Sequence, residues 1–392
     1  MPIRKLGLAS FGAAAFLAGM VSLASAKEEV RTFGNWLVGC DNANVCMAIV
    51  FAEPSKAIAE LGIPLLQIRH HPLRDATPEI RIVDSGPSGE GDRLAKSRAL
   101  LVVTPTGAEI AKGPASHRAE FEGNAGFRFQ SSRARIILHA LRSRTDRITI
   151  SIDEKQNLRV NTAGLEAALA YMDDQQELAD KPGALVRKPD GVLNDYLHPI
   201  PPDVETVGGA AFGEPSDSGI PRRNLLAVPG CKPLQTDGTA QGYALRGSAI
   251  LLRGDCAGDG QNQLSAWYLL PSINGRAGPH LWSNGTDGKR RDGALLANVE
   301  VLPNGGIIRA TRFRAATRDC GIHERWGWIG EGRFELIERR EMPLCRTAGP
   351  ARWIITYRAN FISPLGHHAH PHRERPMDRS FKQPPHPQCA DG

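Results

Sequence analysis

The sequence predicts a mostly β protein with a few helices, arranged as two β-sandwich-like modules joined by a linker rich in proline and glycine. Three observations carry that expectation. The 392 residues include 41 Gly and 28 Pro, which favours frequent turns over long helices. Short apolar runs of strand length recur between turn signals along most of the chain. Of 7 cysteines, all but Cys389 fall in near pairs, each placed to staple a hairpin or a loop.

The chain opens with a segment of a different kind. Arg4 and Lys5 precede an uncharged stretch of Ala, Leu, Gly, Phe and Val, and Ala24-Ser25-Ala26 supplies small side chains for a peptidase pocket. Residues 1–26 therefore read as a secretory signal peptide cleaved before Lys27, in preference to a membrane anchor, because the stretch is short and interrupted by Gly and Ser. No later stretch of that length is uncharged, so no transmembrane span is expected after cleavage. Export places the chain in the periplasm, where thiols oxidise. The net charge of +6 includes Arg4 and Lys5. The +4 that remains after their removal is too weak a bias to suggest nucleic acid.

Residues 27–180 form the first expected module. Phe33-Gly-Asn-Trp36-Leu-Val-Gly-Cys40 and Val45-Cys46-Met-Ala-Ile-Val-Phe51 read as strands around the Asx-rich turn Asp41-Asn42-Ala43-Asn44, with Cys40 and Cys46 placed to bridge them. Further strands are expected over 65–70, 79–83, 100–104, 127–130 and 148–152. Residues 131–141 have helical spacing. Thr162 to Gln176 is the stronger helix, with Leu165, Ala168, Leu169 and Met172 at i, i+3, i+4 and i+7 and Thr162 as the expected cap.

Residues 181–224 are the linker, marked by Lys181-Pro182-Gly183 and His198-Pro-Ile-Pro-Pro202. In the second module, 225–361, strands are expected over 249–252, 266–270 and 298–302. Pro303-Asn304-Gly305-Gly306 separates Val299-Glu-Val-Leu302 from Ile307-Ile-Arg-Ala-Thr311 as a hairpin turn, since Asn-Gly accepts positive φ. A second hairpin folds about Gly330-Glu331-Gly332, bracketed by Cys320 and Cys345; closing a loop of that length contributes roughly 3 kcal/mol. Residues 362–392 form a tail rich in His and Pro, expected to be disordered.

The cysteines read as structural disulfides: Cys40, Cys46, Cys231, Cys256, Cys320 and Cys345. Sequential pairing is the simplest of the about 15 connectivities that six cysteines allow. Cys389 is left free or available to a second chain. Metal binding is the weaker reading because no Cys-x-x-Cys pair occurs.

No recognisable catalytic constellation is present, so no catalytic residue is assigned. The sequence has no Gly-x-Ser-x-Gly elbow, and Gly285-Thr-Asp-Gly288-Lys289-Arg290 is a basic turn rather than a phosphate loop. His323-Glu324 lacks the second His of a zinc-protease helix, and Asp255-Cys-Ala-Gly-Asp259-Gly260 lacks the closing Glu of a calcium loop. His70 and His71 adjoin on a strand and face opposite ways. His139 reads as a packed residue, and Trp326 with Trp328 as core rather than as a ligand platform.

Two features keep a binding role open. Arg128, Arg133, Arg135, Arg142, Arg144 and Arg147 make a basic cluster, and Arg133, Arg135, Arg142 and Arg144 are the candidate contacts to an anionic surface such as lipid A. In the tail, His367, His368, His370 and His372 are candidate ligands for a transition metal; otherwise no cofactor is expected.

Four stretches stand out together: Phe33-Gly-Asn-Trp36 with Cys40-Asp41-Asn42; Ala163-Gly164-Leu165-Glu-Ala-Ala168-Leu-Ala-Tyr-Met172-Asp173-Asp-Gln175; Arg318-Asp319-Cys320-Gly321 with Trp328 and Gly332-Arg-Phe334-Glu-Leu336; and Glu341-Met342-Pro343-Leu344-Cys345-Arg346. In combination they resemble domain-of-unknown-function family 1176. The first module also resembles, more distantly, the invasion-associated locus B proteins, through the Phe-Gly-x-Trp opening and the Gly-hydrophobic-x-Ala-Ala helix. The resemblance implies a periplasmic, β-rich protein and brings no established activity. Ala257-Gly-Asp-Gly-Gln-Asn262 replaces the Gly-Ala-Tyr-Asn usual after the Cys256-type cysteine, and the His-rich tail is additional. The expected role is that of a non-enzymatic envelope-associated or interaction protein, partnered by envelope components or another periplasmic protein. A metal-handling protein using its tail and an enzyme with residues assembled from distant positions are the alternatives.

Overall fold

Alternating side chains around an Asx-rich turn build the first hairpin of the computed structural model. The model describes residues 30–53, 65–73, 76–83, 99–103, 109–114, 118–121, 124–143, 147–152, 156–186, 199–205, 215–225, 228–234, 237–245, 249–271, 277–279, 282, 295–302, 306–330, 333–346 and 348–362. Strand β1 (Arg31–Phe33) pairs with β2 (Trp36–Cys40), which pairs with β3 (Cys46–Phe51) so that Cys40 lies opposite Cys46. The two cysteines are bridged. Asp41 Oδ1 accepts from the amides of Ala43 and Val45 at 3.0 and 2.9 Å, closing the expected Asx turn.

Antiparallel pairing continues through β4 (Leu65–His70), β5 (Glu79–Val83), β9 (Asn124–Phe129) and β8 (Arg118–Phe121), giving a seven-stranded sheet in the order β1-β2-β3-β4-β5-β9-β8. A four-stranded sheet, β11-β10-β6-β7, contains β6 (Ala99–Val103), β7 (Glu109–Pro114), β10 (Arg147–Ile152) and β11 (Gln156–Asn161). β7, β8 and β11 fall outside the strands expected from sequence.

Two helices lie among the described residues. α1 (Ser131–Ser143) buries Ala134, Ile137, Leu138 and Leu141. α2 (Leu165–Gln175) buries Leu165, Ala168, Leu169 and Met172, the stripe expected from sequence. Both stripes pack with Val38, Ala48, Ile68, Ile80 and Phe127 on one face of the seven-stranded sheet. Two expectations are corrected here. Thr162 does not cap α2: that position is Gly164 at φ +90°, with no side-chain cap. His139 is not packed: the stripe at 134, 137, 138 and 141 turns position 139 outward, where it is exposed.

Gly164 is where it is for a steric reason. A Cβ there would sit 2.1 Å from the Phe33 carbonyl oxygen, and one on Gly34, at φ +58°, would sit 2.5 Å from that of Ala163. The Phe-Gly-x-Trp opening and the Ala-Gly-Leu start of α2, about 130 residues apart in sequence, therefore interlock through bare backbone.

Part of the stretch read as a linker is folded. β12 (Asp203–Glu205) pairs in parallel with β24 (Asn360–Ile362), and β13 (Ser216–Pro221) opens a sheet in the order β13-β14-β15-β16-β17, with β14 (Thr239–Ala244), β15 (Ile250–Cys256), β16 (Leu264–Leu270) and β17 (Gly278–Pro279). β18 (Leu295–Ala297) also pairs with β16. The last sheet runs β19 (Glu300–Leu302), β20 (Ile307–Phe313), β21 (Gly321–Gly330), β22 (Arg333–Met342) and β23 (Ile354–Arg358). Both expected hairpins form, with Leu302 opposite Ile307 and Gly330 opposite Arg333.

Trp326 and Trp328 are core residues. With Trp267, Trp282 and Phe334 they make a buried aromatic cluster in which Trp282 lies 5.3 Å from Trp326, and Trp328 lies 5.0 Å from Phe334. Bridges Cys231–Cys256 and Cys320–Cys345 complete the sequential set. The stretch 1–26, the tail with His367, His368, His370 and His372, Arg144 and Cys389 lie outside the described residues. No helix among the described residues is long and apolar enough to cross a membrane.

Candidate functional site

With its apolar stripe on the sheet, α1 turns Arg135, His139 and Arg142 to one side, at i, i+4 and i+7. That side faces an open cleft of about 760 Å³. Leu138, Leu185, Gly183 and Ala184 line it, the last three forming a wall outside α1. Ala76, Pro78, Ser143 and Glu166 complete the lining.

The wall is held by two side chains. Asp173, 1% exposed on α2, accepts from the amides of Leu185 and Val186 at 2.8 and 2.9 Å. Burial pushes its carboxyl above the ordinary range, and the two amides oppose that rise. From the other side Arg142 donates to the carbonyls of Leu185 and Val186 at 2.7 and 3.0 Å. Arg142 also makes a two-pronged contact with Glu166, at 3.0 and 2.9 Å, joining α1 to α2. Its donors are thus largely committed to structure.

Arg135 and His139 are different. Both are exposed on the cleft, and neither has a hydrogen bond or ion pair with a described residue. Of the four arginines expected to meet an anionic surface, Arg135 therefore offers an open guanidinium and Arg142 a committed one. Arg133 is exposed on α1 and does not line the cleft. The rest of the basic cluster is engaged: Arg128 lies 3.3 Å from Glu79, and Arg147 lies 3.1 Å from Glu53.

The C-terminus of α2 is fixed by Gln176, which is fully buried. Its Nε2 donates to the carbonyls of Asn44 and His70 at 2.8 and 2.9 Å, and its Oε1 accepts from His70 Nδ1 at 2.7 Å. Burial lowers the His70 pKa, keeping the imidazole neutral. His70 and His71 do not act together, as the strand alternation required.

Two other groupings offer no site. Asp319, Cys320 and Cys345 lie close together, but the two sulfurs are bonded to each other and Asp319 accepts from Thr317 Oγ1 at 2.5 Å. In the loop after β15, the Asp259 carboxylate is occupied by the Asn262 amide at 2.9 Å and Nδ2 at 3.0 Å, which makes it a turn, as expected. The cleft itself was only half legible. Arg135 and Arg142 stood out as charges, whereas Asp173 and Glu166 gave no signal because their partners are distant in sequence or in backbone.

A family model described as a protein of unknown function, DUF1176, matches residues 30–360. The chain belongs to the DUF1176 family. That span contains both glycine-interlocked motifs and all three bridges of this DUF1176 chain. No curated protein and no solved structure matches it.

Proposed function

We propose that this DUF1176 protein is an exported, non-enzymatic binding protein of the periplasm, and that its cleft along α1 receives phosphate groups of an anionic envelope component. The observation that carries the reading is the pair Arg135 and His139, one helical turn apart on an open cleft and without a hydrogen bond or ion pair among the described residues. A guanidinium presents paired N–H donors that match phosphate oxygens, and an imidazole adds a donor beside it. The signal-like start and the three bridges support the address. The locus B-like Phe33-Gly-Asn-Trp36 opening supports the envelope assignment.

The test is co-sedimentation of the full secreted chain with vesicles containing lipid A and with phosphatidylcholine vesicles. Binding to the lipid A vesicles alone is expected, with Arg135→Ser weakening it about fivefold, since one cation near an anionic surface contributes about 1 kcal/mol. A soluble phosphate-bearing polymer that competes fully would identify the polymer rather than the lipid as the source of the phosphates. Equal binding to both vesicles, or no effect of Arg135→Ser and His139→Ala, overturns the proposal.

A further inference from the structure

A second cationic locus lies on the opposite face of the seven-stranded sheet, where the polar side chains of β4 and β5 come within electrostatic reach of Arg358 on β23, a strand packed on β2 and β3. Four arginines, Arg69, Arg81, Arg128 and Arg358, face two carboxylates, Asp41 and Glu79. Glu79 is engaged by two of these arginines and Asp41 is engaged in part. Glu79 Oε1 accepts from Arg81 Nε and lies 3.3 Å from Arg128 Nε without a hydrogen bond to it. Asp41 spends Oδ1 on the amides of Ala43 and Val45, and its Oδ2 lies 3.5 Å from Arg358 Nε without forming a hydrogen bond.

Arg69 is left over. It sits opposite Glu79 in register and is 5% exposed, yet it makes no hydrogen bond or ion pair with any described residue. His71, two residues on and half-buried, is on the same side and also has no hydrogen-bond partner among the described residues. Arg358 reaches the locus from β23, whose backbone is fixed there: its amide donates to Asn42 Oδ1 at 2.8 Å. Its cross-strand neighbour Glu338 is occupied by Arg340 at 2.9 and 3.0 Å.

A buried guanidinium without an acceptor is costly, and several like charges together are more so. Each charge weighs on its neighbours. Burial and then the charges of Arg358 and Arg81 lower the Arg69 pKa to about 10, and burial with the charges of Arg69 and Arg358 lowers that of His71 to about 3. His71 is consequently neutral at physiological pH and can donate one N–H without adding charge.

We propose that Arg69, His71 and Arg358 form a receptor for one small oxyanion, of the phosphate or sulfate type, at the seam between the seven-stranded sheet and β23. The anion supplies the missing acceptors, offsets the excess positive charge and ties β4 to β23. Half-buried His71 provides its way in. The site is separate from the cleft on α1.

The experiment is calorimetric titration of the full chain with inorganic phosphate and with sulfate at constant ionic strength, with chloride as the control. Thermal unfolding is followed in parallel. Both oxyanions are expected to bind with one-to-one stoichiometry and to raise the melting temperature at about 10 mM, as preferential binding to the folded state requires. Arg69→Met is expected to fold, because it removes a repelled cation, and to weaken phosphate binding at least about tenfold through loss of a paired donor. Arg69→Lys, which keeps the charge but loses the planar fork, is expected to fall between the two. The Arg69-dependent phosphate binding is expected to persist in Arg135→Ser, which leaves Arg69, His71 and Arg358 in place. No oxyanion binding by the unaltered chain overturns the proposal, as does undiminished binding by both Arg69 variants. A loss caused by Arg135→Ser alone also overturns it, by placing the phosphate in the cleft.

Discussion

Replacing Asp173 tests how the cleft wall is built, and its cost can be worked from the structure. Asp173→Ala removes the acceptor of two backbone amides, one of them buried. A hydrogen bond to a charged group contributes about 1.5–3 kcal/mol, so the gross loss is about 3–6 kcal/mol. Against it stands the relief of burying a carboxylate, which is the larger influence on its titration and raises its pKa. The net expectation for Asp173→Ala is therefore about 3 kcal/mol of destabilisation. Asp173→Asn keeps one acceptor and removes the buried charge, so about 1 kcal/mol is expected. The release of Leu185 and Val186 should also free Arg142 from their carbonyls and widen the cleft. Urea unfolding at neutral pH measures both variants, with unchanged m-values showing that only stability moved. If Asp173→Ala stayed within about 0.5 kcal/mol of the unaltered chain, the wall would not depend on this carboxylate and the reasoning would fail.

Four further outcomes are expected. His323 hydrogen bonds with Thr311 Oγ1 at 2.8 Å, and burial followed by the charge of Arg340 lowers its pKa from 6.5 to about 4. A base depressed in the folded state contributes stability that is present above pH 6.5 and lost as pH falls through about 4. Acid unfolding curves should accordingly show roughly 3 kcal/mol of pH-dependent stability that His323→Asn removes, and parallel curves would contradict it. Gly164→Ala should cost more than about 3 kcal/mol by calorimetry, while Gly260→Ala, at φ +91° but with open space around it, should cost only about 1–2 kcal/mol; equal costs would refute the interlock. Alkylation of the native chain without reductant should leave Cys40, Cys46, Cys231, Cys256, Cys320 and Cys345 unmodified by mass spectrometry; labelling of any of them would break the disulfide assignment. Zinc retained after dialysis should be lost from a chain ending at Ser363, and equal retention would exclude His367, His368, His370 and His372 as ligands.

Alternation and turn chemistry were enough to place β4 and β5 to the residue and to find the Cys40–Cys46 hairpin. Helical spacing gave the buried stripe of α2. Failures followed from what local pattern cannot carry. Glu109–Pro114, Arg118–Phe121 and Gln156–Asn161 pair as strands although they are short and poor in β-branched residues, because neighbouring strands supply the hydrogen bonds. Thr162 looked like a cap because threonine caps helices, but the approach of Phe33 demands glycine two residues later. His139 sat in an apolar-looking run whose buried members, Ile137, Leu138 and Leu141, point the other way. In the site, Arg142 was readable as a charge and unreadable as a clamp, since Glu166 is 24 residues away.

The polar positions of β4 and β5 show why charge patterning misleads here. Gln67, Arg69, Glu79 and Arg81 alternate with Leu66, Ile68, Ile80 and Ile82, the pattern of a sheet with one wet face. All four are buried instead, because the second face of the sheet is covered too. Leu37, Met47, Ile49, Phe51, Leu65 and Val83 pack there against Cys320, Met342, Trp353 and Ile354. The end of β4 consequently serves both faces: His70 turns toward Gln176 and the helices that frame the cleft, while Arg69 and His71 turn toward the seam with β23. Because that division is set by backbone register, which Arg69→Met leaves intact, the seam can lose a cation without moving the cleft. The two cationic sites are thus separable by single substitutions even though three consecutive residues reach toward both.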